Sequence, residues 1–463
     1  MNPDEPVTAT GPTPLQLLRS LPRIRRDPVG FLTEAAAAHG DLVSLPIPGQ
    51  PVLLVNDPDG ARRVLQDNPG GYTKATIQYR SLTTVTGVGL LTADGEDWRR
   101  RRRVVQPAFH HTGFAAITTA TAQAAQRLRR RWDAAPGQVL DADSALLHTL
   151  LDVVGQTLFG TDLARPDGPD GERLATAADV ALRTVIARSQ SGRPGWADPV
   201  RTRRLHRAIA TLDEVCAQIV AQRRAMPAPP TDDVLGLLLA AQDAGVLSPA
   251  EVRDELVTMV IAGHETVASA MTWALHLLST HPDVAERLAA ELDAAADPTE
   301  ESSGDSILDP MGRLARLPYT RAVFDEALRL YPPAWLITRR AAVADEVAGV
   351  PVAAGTLIVI SPWLLHRRPQ SWPDPERFDP ERFLDERGTV ARPRGDYLPF
   401  GLGPRLCIGR DIARLEGPLL LAVLLRGRRV LPTRRSSPTV DALITVRPHG
   451  GLPLRLAPDP SPR

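Results

Sequence analysis

Lysine is all but absent from this chain, with Lys74 the only one among 463 residues. Its positive charge is therefore almost all arginine, and 54 basic side chains are matched by 54 acidic ones for a formal net charge of zero. That balance gives no global attraction to nucleic acid, so charged partners must be sought in local patches. Cysteine is nearly as scarce: Cys216 and Cys407 are too few for a disulfide framework and suit a reducing, cytoplasmic compartment. No apolar run approaches the roughly 20 residues that span a bilayer. The polar, proline-containing start from Met1 to Thr13 also lacks the basic and then apolar pattern of a secretory leader. These shortages exclude, as first readings, an integral membrane protein, a disulfide-stapled secreted domain and a nucleic-acid binder.

Hydrophobic residues make up 43% of the chain, ample for a large core that encloses a bulky cofactor. Residues 1–20 read as a flexible lead-in. A short helix over Val29–His39 and strands over Asp41–Ile47 and Pro51–Asn56 follow. From about Asp94 to Met226 the pattern is helical, interrupted at Arg165–Gly171 and Ser191–Pro199, with a breaker at Pro227–Pro230. Ser248, Pro249 and Glu251 then form a capping signal for a long helix ending at His281-Pro282. Its centre, Leu256–Ala262, is apolar nearly all round and belongs in the interior. Asp297–Asp309 reads as a surface loop, Arg316–Tyr331 as a helix, Leu336–Ala341 and Thr356–Ile360 as strands, and Ile408–Leu425 as an apolar helix. No internal repeat occurs. The expectation is a mainly α fold with small β-sheets, one domain over 21–463.

The densest chemical motif is Phe400-Gly401-Leu402-Gly403-Pro404-Arg405-Leu406-Cys407-Ile408-Gly409. A thiolate presented to heme iron needs a tight loop. Gly401 and Gly403 can supply its backbone conformations, and Gly409 lets a helix pack close to the macrocycle. Backbone N–H groups near a helix start help keep the sulfur anionic, Phe400 can screen it from water, and Arg405 can pair with a propionate. A buried cysteine beside a glycine-rich turn is the plainer reading of a lone Cys, but it leaves the surrounding matches unexplained.

This pattern resembles the heme-binding loop of the cytochrome P-450 family, and motifs similar to others of that family occur in order. Glu326-Ala327-Leu328-Arg329 resembles its Glu-x-x-Arg helix, and Asp379-Pro380-Glu381-Arg382-Phe383 its meander. Glu326 and Arg329 share a helix face and can pair. Arg382 would close a three-residue ionic network and is preferred to Arg377, in the competing Pro-Glu-Arg-Phe copy, because it lies nearer the expected position. Ala262-Gly263-His264-Glu265-Thr266 resembles the segment crossing the oxygen-binding side of the heme. The resemblance implies that the small residues let the helix approach the porphyrin and distort locally. It also implies that Thr266 offers a hydroxyl there and Glu265 feeds protons towards it; a threonine bonded back to a helix carbonyl is the structural alternative. Trp98 and Arg102 match a Trp-x-x-x-Arg pair and would reach a propionate, with Arg339 a third contact and Arg340 a weaker candidate. The other arginines of Arg99–Arg103 imply a basic face for an acidic electron donor.

The resemblance thus implies a monomeric cytochrome P-450. Heme b would be held by Cys407, dioxygen consumed, and an apolar small molecule oxidised. Electrons would come from NAD(P)H through a ferredoxin or similar donor and its reductase, because the chain carries no flavin or nucleotide motif. Several segments are similar to bacterial carotenoid β-ring hydroxylases of the family, among them Thr73-Lys74-Ala75-Thr76, Gln78-Tyr79-Arg80 and Leu330-Tyr331-Pro332-Pro333-Ala334-Trp335. The implied pocket residues are Gln78, Tyr79, Ala262, Trp335 and Leu336, and the expected reaction is β-ring hydroxylation of a carotenoid such as β-carotene. Extra stretches at Thr231–Gly245 and Asp297–Asp309 depart from that pattern. Another terpenoid or a fatty acid is the alternative substrate. A peroxide-dependent or non-oxygenase heme-thiolate protein is the alternative of a different class; it would not need Glu265 and Thr266. Cys216 reads as a core residue.

Overall fold

The computed structural model describes residues 9–110, 113–134, 137–163, 170–191, 198–227, 230–295, 310–387, 395–434 and 438–458. The expected loop Asp297–Asp309 and most of the breaks at Arg165–Gly171 and Ser191–Pro199 lie outside the described residues. Helices dominate, and many start alike. Thr13, Asp27, Asp198 and Ser248 cap helices whose first residue is proline: Pro14–Arg26, Pro28–His39, Pro199–Ala225 and Pro249–Thr280. The cap oxygen takes an N–H that the first turn leaves unbonded, and proline has no N–H there to waste. The first of these helices replaces the expected flexible lead-in over residues 14–20; residues 1–8 lie outside the described residues. Thr13 and Gln16 form a reciprocal capping box, and the helix sets Leu17 into a cluster with Val29, Phe31 and Val43.

A five-stranded sheet runs in the spatial order Leu42–Ile47, Gln50–Val55, Leu357–Ile360, Ile337–Ala341, Tyr72–Thr73. Leu357–Ile360 is buried at every position and central, parallel to Gln50–Val55 and antiparallel to Ile337–Ala341. Near the C-terminus, Pro453–Pro458 pairs antiparallel with Arg428–Pro432 on one side and Leu140–Asp141 on the other, and Val440–Ala442 pairs with Val446–Pro448. The long helix Pro249–Thr280 crosses the interior, with its apolar residues shared between two large core clusters. One cluster also holds Ala142–Leu158, Pro318–Leu330 and Arg410–Leu425 side chains; the other holds those of Gly171–Ser191 and Pro199–Ala225, Cys216 included. No helix among the described residues is long and apolar enough to cross a membrane.

Candidate active site

Cys407 sits on a tight loop just before the helix Arg410–Leu425. Gly401 and Gly403 have φ of +73° and +71°, a region that favours glycine. A Cβ at Gly403 would also lie 2.1 Å from the Leu65 carbonyl oxygen. The Cys407 N–H donates to Phe400 O at 3.0 Å and the Leu406 N–H to Gly403 O at 3.0 Å, closing the loop. Cys407 is exposed as a residue. Protein packed around its sulfur nonetheless pushes the thiol up from its ordinary value, opposed by the Gly409 N–H and the Arg102 charge. A Cβ at Gly409 would meet no protein atom within 4 Å.

Cations gather beside this loop. Arg405 lies over Trp98 with its guanidinium carbon 4.0 Å from the ring centre, donates to Ala93 O at 2.8 Å and pairs with Asp94. Asp94 also caps the helix Gly95–Val105 and accepts the Lys74 N–H at 2.6 Å. The Lys74 ammonium is buried, donates to Leu91 O at 2.7 Å and stands 4.9 Å from the Tyr79 ring centre. Arg339, also buried, donates to Thr338 O at 2.9 Å and Tyr79 Oη at 3.3 Å. Among the described residues, Lys74, Arg339 and Arg102 have no carboxylate ion-pair partner.

Asp94, ion-paired to Arg405 and acting through its charge on Lys74, is thus the carboxylate set against these two cations, with Arg339 close by. Burial, then the charges of Arg339 and Arg405, hold Lys74 well below the ordinary lysine value. Burial is likewise the main cause of Arg405 falling to about 10. A buried group of like charges is unfavourable until anions join it. Two further carboxylates would balance these three cations and Asp94. An accessible thiol beside such a cluster fits heme, the sulfur serving iron and the cations its two propionates. In sequence, Lys74 stands out as the chain's only lysine and within Thr73-Lys74-Ala75-Thr76, but nothing there assigns Lys74 or Asp94 to the cofactor site.

Between Glu255 and Leu275 every position of the long helix is buried except Ala262, Gly263 and Thr266. These share one face of the helix. The helix is assigned without a break from Pro249 to Thr280. The Thr266 hydroxyl donates back to Ala262 O at 2.9 Å, which occupies its proton but leaves oxygen lone pairs to accept. Gly263 has a packing reason, because a Cβ there would lie 2.8 Å from Val154 Cγ2. Glu265 points elsewhere: it is buried and accepts from the Thr445 hydroxyl at 2.7 Å. Burial pushes its carboxyl up, opposed by Thr445 and Arg447. His264 is a core residue, pulled down to about 4 by burial.

Glu326, Arg329 and Arg382 are brought together. Arg329 Nε and Nη2 donate to the two Glu326 oxygens at 2.6 and 2.9 Å, with both side chains fully buried. Arg382 Nε lies 3.5 Å from Glu326 Oε1. The competing Arg377 contributes only its carbonyl, which accepts from Arg329 at 3.1 Å. Arg329 also donates to His366 O and Pro375 O, so the triad ties a helix to the irregular segment leading to the cysteine loop.

Other expected positions divide. Gln78 Oε1 accepts from the Thr338 hydroxyl at 2.7 Å, and Tyr79 meets the cation cluster. Leu336 is partly buried at the edge of a core cluster. Trp335 is 7% exposed, and its indole donates to Leu443 O at 2.9 Å. The basic face expected over Arg99–Arg103 is largely turned inward. Arg101 is buried against Asp97, Glu251 and Glu255 at 2.9–3.0 Å, Arg100 pairs with Asp97 and Glu251, and Arg340 donates to Ala75 O and Gly355 O. Arg99 and Arg103 remain exposed. Glu251 and Glu255, distant in sequence, together with Asp97, hold Arg100 and Arg101 inward.

Comparison with known proteins agrees with this geometry. The cytochrome P-450 family model matches residues 10–451. Cyclooctat-9-en-7-ol 5-monooxygenase of Streptomyces melanosporofaciens is 35% identical over 93% of this chain and 91% of its own length. Pentalenene oxygenase of Streptomyces avermitilis is 33% identical over 97% of both chains. Protein LUTEIN DEFICIENT 5 of Arabidopsis thaliana is 33% identical over 85% of this chain and 68% of its own. A Thermus thermophilus crystal structure superposes with a TM-score of 0.74 at 35% identity, covering 95% of this chain and 97% of that one. Matched along nearly its whole length by family, relatives and fold, the chain belongs to the cytochrome P-450 family of monooxygenases.

Proposed function

We propose that this monooxygenase hydroxylates an apolar polyisoprenoid, with the β-ring of a carotenoid such as β-carotene as first choice. The cation cluster beside the Cys407 loop carries the cofactor assignment. Cys407 would ligate heme iron, while Arg102, Trp98, Arg339, Arg405 and Lys74 would hold the propionates. When bound, heme activates dioxygen and inserts one oxygen atom into a C–H bond. The chain's own contribution is to orient, exclude water and deliver protons: Ala262, Gly263 and Thr266 form the open face of the long helix, and Glu265 is the nearby acid.

The substrate class draws support from relatives whose names carry cyclooctat-9-en-7-ol, pentalenene and lutein, together with the sequence segments around Gln78 and Tyr79. Electrons would arrive from NAD(P)H through a ferredoxin and its reductase, docking near Arg99 and Arg103. The test is reconstitution with those proteins and β-carotene, reading substrate-induced heme spectra and product mass. Ring-hydroxylated product is expected. Neither spectral shift nor product from β-ring carotenoids, alongside turnover of another terpenoid, would reject the carotenoid and keep the monooxygenase.

A further inference from the structure

The acid of the Glu265-Thr266 pair does not share the open face of its helix, and what holds it comes from 180 residues further along the chain. We propose that Thr445, on the hairpin formed by Val440–Ala442 and Val446–Pro448, is a positioning residue that sets the orientation and protonation of Glu265. The hairpin is thereby the proton-supply side of the active site. This rests on the monooxygenase reading above and deepens it.

The hairpin is fastened along one stripe of the long helix. Glu265, Ser269 and Trp273 are spaced by four residues and so lie on one face. Thr445 donates to Glu265, while Ser269 Oγ and Trp273 Nε1 both donate to Val446 O, the latter at 3.0 Å. Three contacts in register leave the hairpin little freedom to slide, and Thr445 is itself buried at 2% exposure. The bond to Glu265 is therefore part of an ordered seam.

Charged groups continue outward from the seam. Arg447 Nη2 lies 2.6 Å from Asp143 of the helix Ala142–Leu158, and its Nη1 lies 3.0 Å from Asp179 of the helix Gly171–Ser191. Asp179 pairs with Arg183 at 2.9 Å, Arg183 approaches Asp441 at 3.8 Å, and Asp441 meets the exposed His449 at 2.9 Å. On its own helix, Glu265 neighbours His264, which is bonded to Val260 O. When the carboxyl releases its proton towards the Thr266 face, the Thr445 hydroxyl and the Arg447 charge steady the carboxylate left behind. A proton from water then restores the acid, and the ion pairs of this run hold Arg447 and the hairpin in place.

The test compares Thr445→Val, Thr445→Ser, Glu265→Gln and the Thr445→Val/Glu265→Gln double variant as holoenzymes. Infrared difference spectra against Glu265→Gln isolate the protonated Glu265 carbonyl stretch. In Thr445→Val that band should move to higher frequency and titrate at higher pH, while Thr445→Ser retains the wild-type band. With ferredoxin, reductase, NAD(P)H and β-carotene, the peroxide formed per NAD(P)H should rise several-fold in Thr445→Val. The double variant should be no worse than Glu265→Gln alone, because Thr445 acts through Glu265. An unmoved band, or effects that add in full, would overturn the proposal. Should Thr445→Val not retain heme, the wild-type band decides, since a free-carboxyl frequency contradicts the hydrogen bond. Absence of product from wild type counts against the carotenoid substrate, and the band still judges Thr445.

Discussion

Lys74 is the one lysine among 54 basic residues, and its ammonium is buried beside Arg339 and Arg405, with Asp94 the carboxylate that acts on it among the described residues. If heme propionates complete that cluster, removing one cation weakens their hold by a charge-assisted hydrogen bond, about 1.5–3 kcal/mol. Lys74→Met should thus release heme roughly tenfold to a hundredfold faster, measured by transfer to an apo-globin acceptor. An unchanged rate would remove Lys74 from the propionate set. At the same scale, Thr266→Ala should bind heme and substrate and still consume NAD(P)H, but lose hydrogen peroxide at the expense of product; tight coupling would refute its role in proton delivery. Motifs made legible those residues whose chemistry is local, such as Cys407 between its glycines. Lys74, Asp94 and Thr445 were not legible, because each draws its meaning from a partner that only folding brings near.

Among the elements, the helix Pro318–Leu330 is tied to the approach of the cysteine loop through His366. Its Nδ1 faces Arg329 O at 3.1 Å, and its Nε2 accepts the Leu398 N–H at 2.8 Å. Burial pulls His366 down to about 3, below its ordinary value of 6.5. The stabilisation this neutral ring contributes is fully present above about pH 6.5. It declines as acid protonates the unfolded chain first, by up to about 1.4 kcal/mol per pH unit, until the folded ring also titrates near pH 3. Urea midpoints of the heme-loaded protein should therefore fall more steeply between pH 6.5 and 4 for wild type than for His366→Gln; parallel profiles would contradict this. Glu326→Ala strands a fully buried Arg329 and should lower stability by about 3–5 kcal/mol, giving heme-poor protein. Full heme loading and an unchanged melting temperature would contradict the triad's weight. The cap and proline start at Ser248-Pro249 made the long helix readable from sequence, while the same signals at Thr13-Pro14 and Asp198-Pro199 went unread. The C-terminal strands were not, being short and paired with segments as distant as Leu140–Asp141. Nor could the sequence foretell that Glu251 and Glu255 would draw Arg100 and Arg101 inward.

For the molecule as a whole, Arg99 and Arg103 are the exposed arginines on which the proposed ferredoxin docking rests. Charge reversal at Arg99 or Arg103 should slow reduction by a ferredoxin and flatten its salt dependence; rates indifferent to ionic strength would discard that face without touching the heme site. Fold class and cofactor were legible because four motifs occur in order along the chain, whereas substrate was not, because pocket shape depends on segments that meet only in three dimensions. The central claim is that Cys407 presents a thiolate to heme, and the carbon monoxide spectrum of the reduced protein tests it most directly. Wild type and Cys216→Ser should show the red-shifted Soret band of thiolate-ligated heme, and Cys407→Ser should lose it. A normal thiolate band in Cys407→Ser, or none in wild type reconstituted with heme, would contradict the account.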